Sequence, residues 1–226
     1  MKIKQPSFLI PDQCNKPLAY YAIRCLKEAN NEININVIVS SEQVLNDNSW
    51  LVFYKHSRYI DNLIFAENEM GSAEYLGEVI RTIENTGIDI VFPASEEGVK
   101  FVSKYRDALS NLCNVVALPS HDALHTAFDK WSLHRFLKQH NIPVPQTVLL
   151  KEIEQVSQFN YPILIKPVDG SGGKNIQKLD TLVQESFQAI LNNPSEAYIV
   201  QEYIPGYDIG CNVLCHKGQV VAYTIQ

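Results

Sequence analysis

Residues 161–176, YPILIKPVDGSGGKNI, are the most informative stretch of this sequence. The apolar run at residues 163–165 predicts a buried strand, and Lys166 lies at its end. A loop with three glycines and Lys174 follows. Glycine adopts positive φ without penalty, and successive backbone N–H groups in such a turn can form an anion-binding concavity. The stretch is therefore either a polyphosphate site or an ordinary hairpin loop with a lysine on each side.

The composition is that of a globular protein with one or two domains. The chain has 226 residues, of which 46% are hydrophobic and 19% charged. A net charge of −6 disfavours nucleic-acid or membrane-surface partners, because such partners need clustered Lys and Arg. No stretch has the length of a signal peptide or a membrane span, so we expect a cytoplasmic protein. The five cysteines form no C-x-x-C pair, which predicts reduced and mostly buried thiols.

The first half of the chain alternates predicted strands with amphipathic helices, a pattern that indicates a parallel sheet. The predicted strands are residues 7–11, 33–39, 52–54, 88–92 and 115–118, and the predicted helices are residues 17–29, 72–84 and 96–105. A dinucleotide-binding fold would carry G-x-G-x-x-G after the first strand. Residues 11–15 contain no glycine, so a nicotinamide or flavin cofactor is disfavoured.

Ser95 and Glu96 directly follow the predicted strand at residues 88–92. Loops at the carboxyl ends of such strands face the ligand crevice, which makes both residues candidate substrate contacts. Serine is also a preferred N-cap, and a helix is predicted from Glu96 onwards. Both interpretations are open, with the N-cap favoured.

The second half is predicted to be a mixed α+β region. Two short helices at residues 120–139 end before the prolines at 143 and 145. Further predicted elements are strands at 146–150, 163–165 and 197–201, helices at 151–159 and 180–191, and a hairpin at 209–215 and 219–225. The histidines at 121, 125, 134 and 140 are expected on solvated helix faces, because the pair at 121 and 125 has no third metal ligand nearby. Cys211 and Cys215 are expected to be buried on one strand face.

Four features follow one another along the chain: the pair Asp129 and Lys130, residues 142–145 (IPVP), residues 161–176, and residues 200–208 (VQEYIPGYD). Together they resemble the ATP-grasp superfamily, in the branch of carbamoyl-phosphate synthase and the carboxylate–amine ligases. The resemblance covers residues 88–226. It implies an α/β protein with a Rossmann-like pre-ATP-grasp domain and parallel sheet (1–119), a helical linker (120–145), an α+β ATP-grasp small subdomain with the glycine-rich loop (146–204), and the start of a second subdomain (205–226).

The resemblance also implies the residues of a nucleotide site. Lys130 is expected at the α-phosphate, and Lys166 between the α- and β-phosphates. The loop over the β- and γ-phosphates comprises Gly170, Ser171, Gly172, Gly173 and Lys174, the adenine hinge comprises Gln201, Glu202, Tyr203 and Ile204, and Asp208 holds the ribose hydroxyls. Taken singly, each of these has an ordinary structural interpretation, as a helix turn, a strand end or a turn residue. The loop is not a Walker A motif, since Val168 stands where a glycine would be required.

The implied reaction is phosphorylation of a carboxylate by ATP, followed by attack of an amine on the acyl phosphate. ATP and Mg²⁺ are the expected cofactors, and small-molecule carboxylates and amines the expected partners. The family carries its metal ligands further along than Gln226, so no catalytic or metal-binding residue is named within this chain. A homo-oligomer or a partner chain that supplies the missing half is expected. The alternative is a non-catalytic nucleotide-binding or regulatory module.

Overall fold

The computed structural model describes residues 5–14, 17–40, 49–151, 159–170, 172–181 and 198–226. The chain forms two compact units, Met1–His125 and Thr126–Gln226. Each unit has its own hydrophobic core. The finer division into four parts remains a prediction.

The first unit is built on a parallel sheet, as predicted. Its five strands are β1 (Ser7–Asp12), β2 (Asn34–Ser40), β3 (Asn62–Ala66), β4 (Ile90–Val91) and β5 (Asn114–Val115). They lie in the order β3-β2-β1-β4-β5, and every neighbouring pair is parallel. The winding direction therefore reverses between β1 and β4, where open α/β sheets form their crevice.

Helices cover both faces of this sheet. They are α1 (Leu18–Ala29), α2 (Ser49–Lys55), α3 (Ala73–Thr86), α4 (Glu96–Lys104) and α5 (Arg106–Ser110). Consecutive strand residues point to opposite faces, and accordingly Leu9 and Ile10 belong to different core clusters. The cluster of Ile10 receives side chains from α1 and α2, whereas the cluster of Leu9 receives them from α3, α4 and α5.

In the first unit one predicted strand is wrong, and one strand was not predicted. Residues 52–54 lie in helix α2, where Tyr54 is buried while Val52 and Phe53 remain more than half exposed. A helix that lies on a protein surface can bury one side chain per turn, as α2 does here. Three adjacent apolar residues favour a strand when the sequence is considered alone. Strand β3 lies at the sheet edge and is only partly buried, so its sequence shows only a weak strand-like pattern of apolar residues.

Serine side chains begin two helices of the first unit. The Ser72 side chain accepts a hydrogen bond from the Tyr75 N–H at the start of α3. Ser95 accepts one from the Gly98 N–H at the start of α4 and is only 2% exposed. The N-cap interpretation of Ser95 is thus confirmed.

The second unit carries an antiparallel sheet and helix α7 (Lys130–Gln139), which follows helix α6 (His121–Phe128) along the chain. Helix α6 crosses the boundary between the units. The strands are β6 (Thr147–Leu149), β7 (Ile163–Pro167), β8 (Gln177–Leu179) and β9 (Tyr198–Glu202), in the order β6-β9-β7-β8. All pairs are antiparallel, which confirms the mixed α/β class. The predicted helices at 151–159 and 180–191 lie mostly outside the described residues.

The chain ends in a predicted hairpin, β10 (Cys211–His216) paired with β11 (Gln219–Ile225). Every residue of both strands is exposed, and the pair joins no other strand in the described part of the chain. The expected burial of Cys211 and Cys215 is therefore wrong, because nothing described covers either face of the hairpin. Of the five cysteines only Cys14 is buried. No helix among the described residues has the length and apolar character needed to cross a membrane.

Candidate functional site

Lys166 is held on the face of β7 opposite the hydrophobic core. Ile163 and Ile165 alternate with it and are fully buried. The Lys166 Nζ donates to Gln201 Oε1 at 2.7 Å, and Gln201 Nε2 donates to Thr147 Oγ1 at 3.0 Å. The Thr147 hydroxyl in turn donates to a backbone carbonyl at 2.9 Å. This chain of hydrogen bonds links three strands and orients the Lys166 ammonium.

Lys130 reaches the same region from helix α7. The Asp129 side chain caps the helix by accepting from the Ser132 N–H, which places Lys130 at the first helical position. The Lys130 N–H donates to Val168 O at 2.9 Å, and its Nζ donates to Gly170 O at 2.7 Å. The start of α7 is thus tied to the beginning of the glycine loop through two hydrogen bonds.

The two lysines create a positive potential. Burial lowers the pKa of Lys166, the charge of Lys130 lowers it further, and Asp208 acts in the opposite direction. Within the described residues neither ammonium has a carboxylate at salt-bridge distance. Their hydrogen-bond acceptors, a carbonyl and an amide oxygen, are neutral. Two incompletely neutralised cations at one place form a site that attracts anions.

A cavity of about 180 Å³ adjoins both lysines. It is lined by Lys130, Leu133, His134, Leu137, Val144, Pro145, Lys166, Ile199 and Gln201. Sites for drug-sized ligands are typically about 300–1,000 Å³. The cavity is therefore too small to enclose a whole ligand of that size.

The glycine loop adopts backbone conformations that favour glycine. The φ angles of Gly170, Gly172 and Gly173 are 105°, 70° and 72°, and Asn175 follows at 58°. A Cβ atom added at any of the three glycines would meet no atom within 4 Å. The glycines are thus required by conformation and not by crowding, and the loop has open space beside it. Ser171 lies outside the described residues, and Lys174 is exposed.

The segment at residues 201–204 leaves one backbone amide unused. The Glu202 N–H donates to Gln146 O at 3.0 Å, and the Tyr203 N–H donates to Pro162 O at 3.3 Å. No acceptor for the Ile204 N–H occurs among the described residues. Ile204 is an exposed residue just after β9, so its N–H can donate to an acceptor of a ligand.

The structure brings only part of the predicted site into the cavity. Lys130, Lys166 and Gln201 line it, whereas Glu202, Tyr203, Ile204, Lys174 and Asp208 do not. Asp208 is exposed but lies near enough to raise the pKa of Lys166.

Sequence reasoning missed His134. It was expected on a solvated helix face, yet it is only 8% exposed and lines the cavity. Its position follows from helical spacing, because residues three, four and seven positions after Lys130 share one face of α7. Leu133 and Leu137, which also line the cavity, show the same spacing.

Metal binding has no support among the residues that can be described. No group of three or more His, Cys, Asp or Glu side chains is placed there to hold an ion. We therefore assign none of these residues to Mg²⁺.

The fold is mixed α/β, and two lysines of its second unit adjoin one cavity. Residues 127–226 match the model of the ATP-grasp domain. Over this region the chain is similar to the ATP-grasp superfamily.

Individual relatives are similar to parts of the chain. The chain is 26% identical over 107 residues to a D-alanine–D-alanine ligase of Azobacteroides pseudotrichonymphae, covering 43% of this chain and 33% of the relative. It is 31% identical over 100 residues to the α-aminoadipate–LysW ligase of Saccharolobus solfataricus, covering 39% and 36%. The matched regions therefore span only about a third of the length of these two relatives.

Solved structures show that the fold extends beyond the matched domain. One is a carboxyaminoimidazole ribonucleotide synthase from Aspergillus clavatus complexed with ATP. Its TM-score is 0.65 at 14% identity, and the similarity covers 96% of this chain and 52% of that one. At this identity the similarity concerns the fold alone.

Proposed function

We propose that this chain is the ATP-binding portion of an ATP-dependent ligase that joins a carboxylate to an amine or a related nucleophile. The observation that carries the proposal is the convergence of Lys130 and Lys166 on one cavity without a carboxylate at salt-bridge distance in the described residues. Such a pair costs stability unless an anion offsets the repulsion. A polyphosphate supplies that anion, and the neighbouring glycine loop adds backbone N–H groups.

The remaining predicted residues complete the nucleotide site in this proposal. Lys130 contacts the α-phosphate and Lys166 bridges the α- and β-phosphates, while the loop at residues 170–174 covers the β- and γ-phosphates. Residues 201–204 receive the adenine, with the free Ile204 N–H as a donor. Asp208 accepts from the ribose hydroxyls.

The reaction proceeds through an acyl phosphate. A carboxylate oxygen attacks the γ-phosphorus and ADP leaves, and the amine then attacks the acyl carbon and displaces inorganic phosphate. The part played by these residues is to position ATP and to stabilise charge on the transferred group. The names of the relatives, a D-alanine–D-alanine ligase and an α-aminoadipate–LysW ligase, support this reaction class. Mg²⁺ participation and a cytoplasmic location remain predictions.

The test is a screen of carboxylates and amines for ADP release by the protein that carries this chain. A productive pair is then repeated with an ¹⁸O-labelled carboxylate. Label in the released inorganic phosphate supports the acyl phosphate, because one phosphate oxygen then comes from the carboxylate. ATP binding without turnover for any pair would instead support a non-catalytic nucleotide-binding or regulatory module.

A further inference from the structure

Lys178 lies on the same face of the four-stranded sheet as Lys166. In the register of this sheet, Lys178 of β8 is opposite Leu164 of β7, which is opposite Gln201 of β9. Directly opposed residues project from one face of a sheet, as do residues two positions apart on a strand. Lys166 follows Leu164 by two positions, and its Nζ donates to Gln201 Oε1 at 2.7 Å. Lys178 is therefore a further cation on the face that carries Lys166, although it does not line the cavity.

The ammonium of Lys178 lies over the ring of Tyr203. Its Nζ is 4.3 Å from the ring centroid, which is a cation–π contact. The same Nζ is 3.9 Å from Asp180 Oδ1, at the limit of an ion pair, and the two side chains are 47% and 70% exposed. An ion pair with this distance and exposure contributes little. Asp180 therefore does not compete strongly with the ring for the ammonium.

Tyr203 lies where the hydrogen-bonded ladder between β7 and β9 ends. It follows Glu202, which pairs with Ile163, so the residue across the ladder is Pro162. The Tyr203 N–H donates to Pro162 O at 3.3 Å. A hydrogen-bonded antiparallel pair ordinarily exchanges two such bonds, but proline has no N–H to return the second. A single ladder bond thus joins the Tyr203 backbone to β7, and a contact of its side chain adds to what fixes it.

The orientation of the Ile204 N–H depends on how Tyr203 is held. This N–H belongs to the peptide plane that joins the two residues, and a peptide plane moves as one rigid unit. The Ile204 side chain is 59% exposed, so its own packing contributes little to that orientation. Among the described residues the Ile204 N–H has no acceptor. The ring contact of Lys178 and the backbone bond to Pro162 are therefore the described interactions that orient this plane through Tyr203.

We propose that Lys178 is a positioning residue of the nucleotide site, whose ammonium holds the Tyr203 ring and thereby orients the Ile204 N–H towards the base of the bound nucleotide. The inference rests on the proposed ATP-binding function, in which residues 201–204 receive the adenine. Lys178 acts through Tyr203 and not by contact with the nucleotide. Its removal should therefore weaken binding of the base and leave binding of the phosphates unchanged.

Substitutions at both ends of the contact separate this role from others. Lys178→Met removes the charge, Lys178→Arg keeps a cation that also binds aromatic faces, and Tyr203→Leu removes the ring. Isothermal titration calorimetry measures the binding of ATP and of inorganic tripolyphosphate to the protein that carries this chain, to these variants and to the double variant with Lys178→Met and Tyr203→Leu. Lys151→Met is the matched control, because Lys151 is an exposed lysine of the same unit and its loss removes the same charge.

Lys178→Met should lose ATP affinity by about two- to fivefold, the scale of a cation–π contact at an exposed site, whereas Lys178→Arg should stay within about 1.5-fold of wild type. The double variant should bind ATP as Tyr203→Leu does, because either single change already removes the contact. Tripolyphosphate should bind Lys178→Met and Lys151→Met alike. In ¹⁵N-isoleucine spectra of the ligand-free protein, the Ile204 amide resonance, identified by its absence in Ile204→Val, should move in Lys178→Met and return towards its wild-type position in Lys178→Arg.

Four results would overturn the inference. Unchanged ATP affinity of Lys178→Met, in a protein that binds ATP, removes the positioning role and leaves the proposed function standing. Equal losses in the methionine and arginine variants, or a double variant whose loss is the product of the two single losses, mean that Lys178 does not act through the ring. A loss of tripolyphosphate binding beyond that of Lys151→Met indicates a phosphate contact instead. A wild-type protein that binds no ATP overturns both proposals.

Thermal unfolding of each variant identifies losses of affinity that come from misfolding. If Tyr203→Leu does not fold, the comparison of Lys178→Met with Lys178→Arg and the Ile204 resonance still decide the question. An Ile204 resonance that stays in place in Lys178→Met would then contradict the inference.

Discussion

Replacing Lys166 by alanine is expected to weaken ATP binding by about 1–3 kcal/mol, the scale of a charge-assisted hydrogen bond. The Lys166 Nζ is partly buried and already oriented by Gln201 at 2.7 Å, so little ordering cost remains to be met on binding. At about 4 Å from a phosphate oxygen and an effective dielectric constant of about 20, the Coulomb attraction is about 4 kcal/mol. Desolvation and the competing Gln201 contact reduce this value, and the remainder corresponds to a loss of about 5- to 150-fold in affinity.

The assay is calorimetric titration of ATP and ADP into wild-type protein and Lys166→Ala. Lys151→Ala is the matched control, because Lys151 lies in the same unit, is exposed and does not line the cavity. Circular dichroism and thermal unfolding establish that each variant is folded. Burial and the charge of Lys130 lower the pKa of Lys166, which means that the charged side chain is destabilising without a ligand. The alanine variant should therefore lose affinity without an equivalent loss of stability.

The reasoning would be refuted if Lys166→Ala bound ATP within twofold of the wild-type affinity. It would also be refuted if Lys151→Ala lost as much affinity as Lys166→Ala, because the effect would then not depend on the cavity. A variant that bound poorly and also unfolded at much lower temperature would show that Lys166 acts on the fold and not on the ligand.

Three further predictions concern the same groups and the first unit. ATP affinity should fall as pH rises through the pKa of Lys166, which lies below its usual 10.5, and calorimetry between pH 7 and 10 should show no such inflection in Lys166→Met. Gly98→Ala should destabilise the protein by about 1–3 kcal/mol in urea unfolding, because its Cβ would lie 2.5 Å from Pro11 O, whereas Gly77→Ala has room and should not. Burial raises the folded-state pKa of Asp12 above 3.8, so the stability that this group contributes is lost as pH rises through that pKa. Between pH 3.5 and 7, the unfolding midpoint of the wild type should therefore fall relative to that of Asp12→Asn.

Sequence signals were sufficient to predict a structural feature where that feature depends on residues of a single helix or strand. Ser95 before a helix predicts an N-cap, since the cap forms within a single turn, and the structure confirms it. The apolar run of β1 predicts a short buried strand, and the alternating β-branched residues of β2 predict a second strand, because both patterns lie within a single element. The alternation of strands and helices predicts the parallel sheet of the first unit, whereas no such pattern predicts strand β8 or the antiparallel pairing in the four-stranded sheet of the second unit.

Expectations failed where burial depends on residues distant in sequence. Residues 52–54 are apolar enough for a strand, but only Tyr54 meets a core, and it does so from a helix. Cys211 and Cys215 alternate as buried residues would, yet the described chain covers neither side of their hairpin. A hydrophobic pattern states which side chains share a face, and it does not state whether another element packs against that face.

The candidate site shows the same limit. The order of Lys130, the glycine loop and residues 201–204 along the chain predicts the resemblance to the ATP-grasp superfamily, because each motif is local. Residues 127–226 match the model of that domain. The hydrogen bond from Lys166 to Gln201, the shared cavity of Lys130 and Lys166, and the His134 Nδ1 without a partner among the described residues required the folded chain. Charge repulsion and the lack of a hydrogen-bond partner both depend on distances between atoms of different residues, and only the folded structure sets those distances.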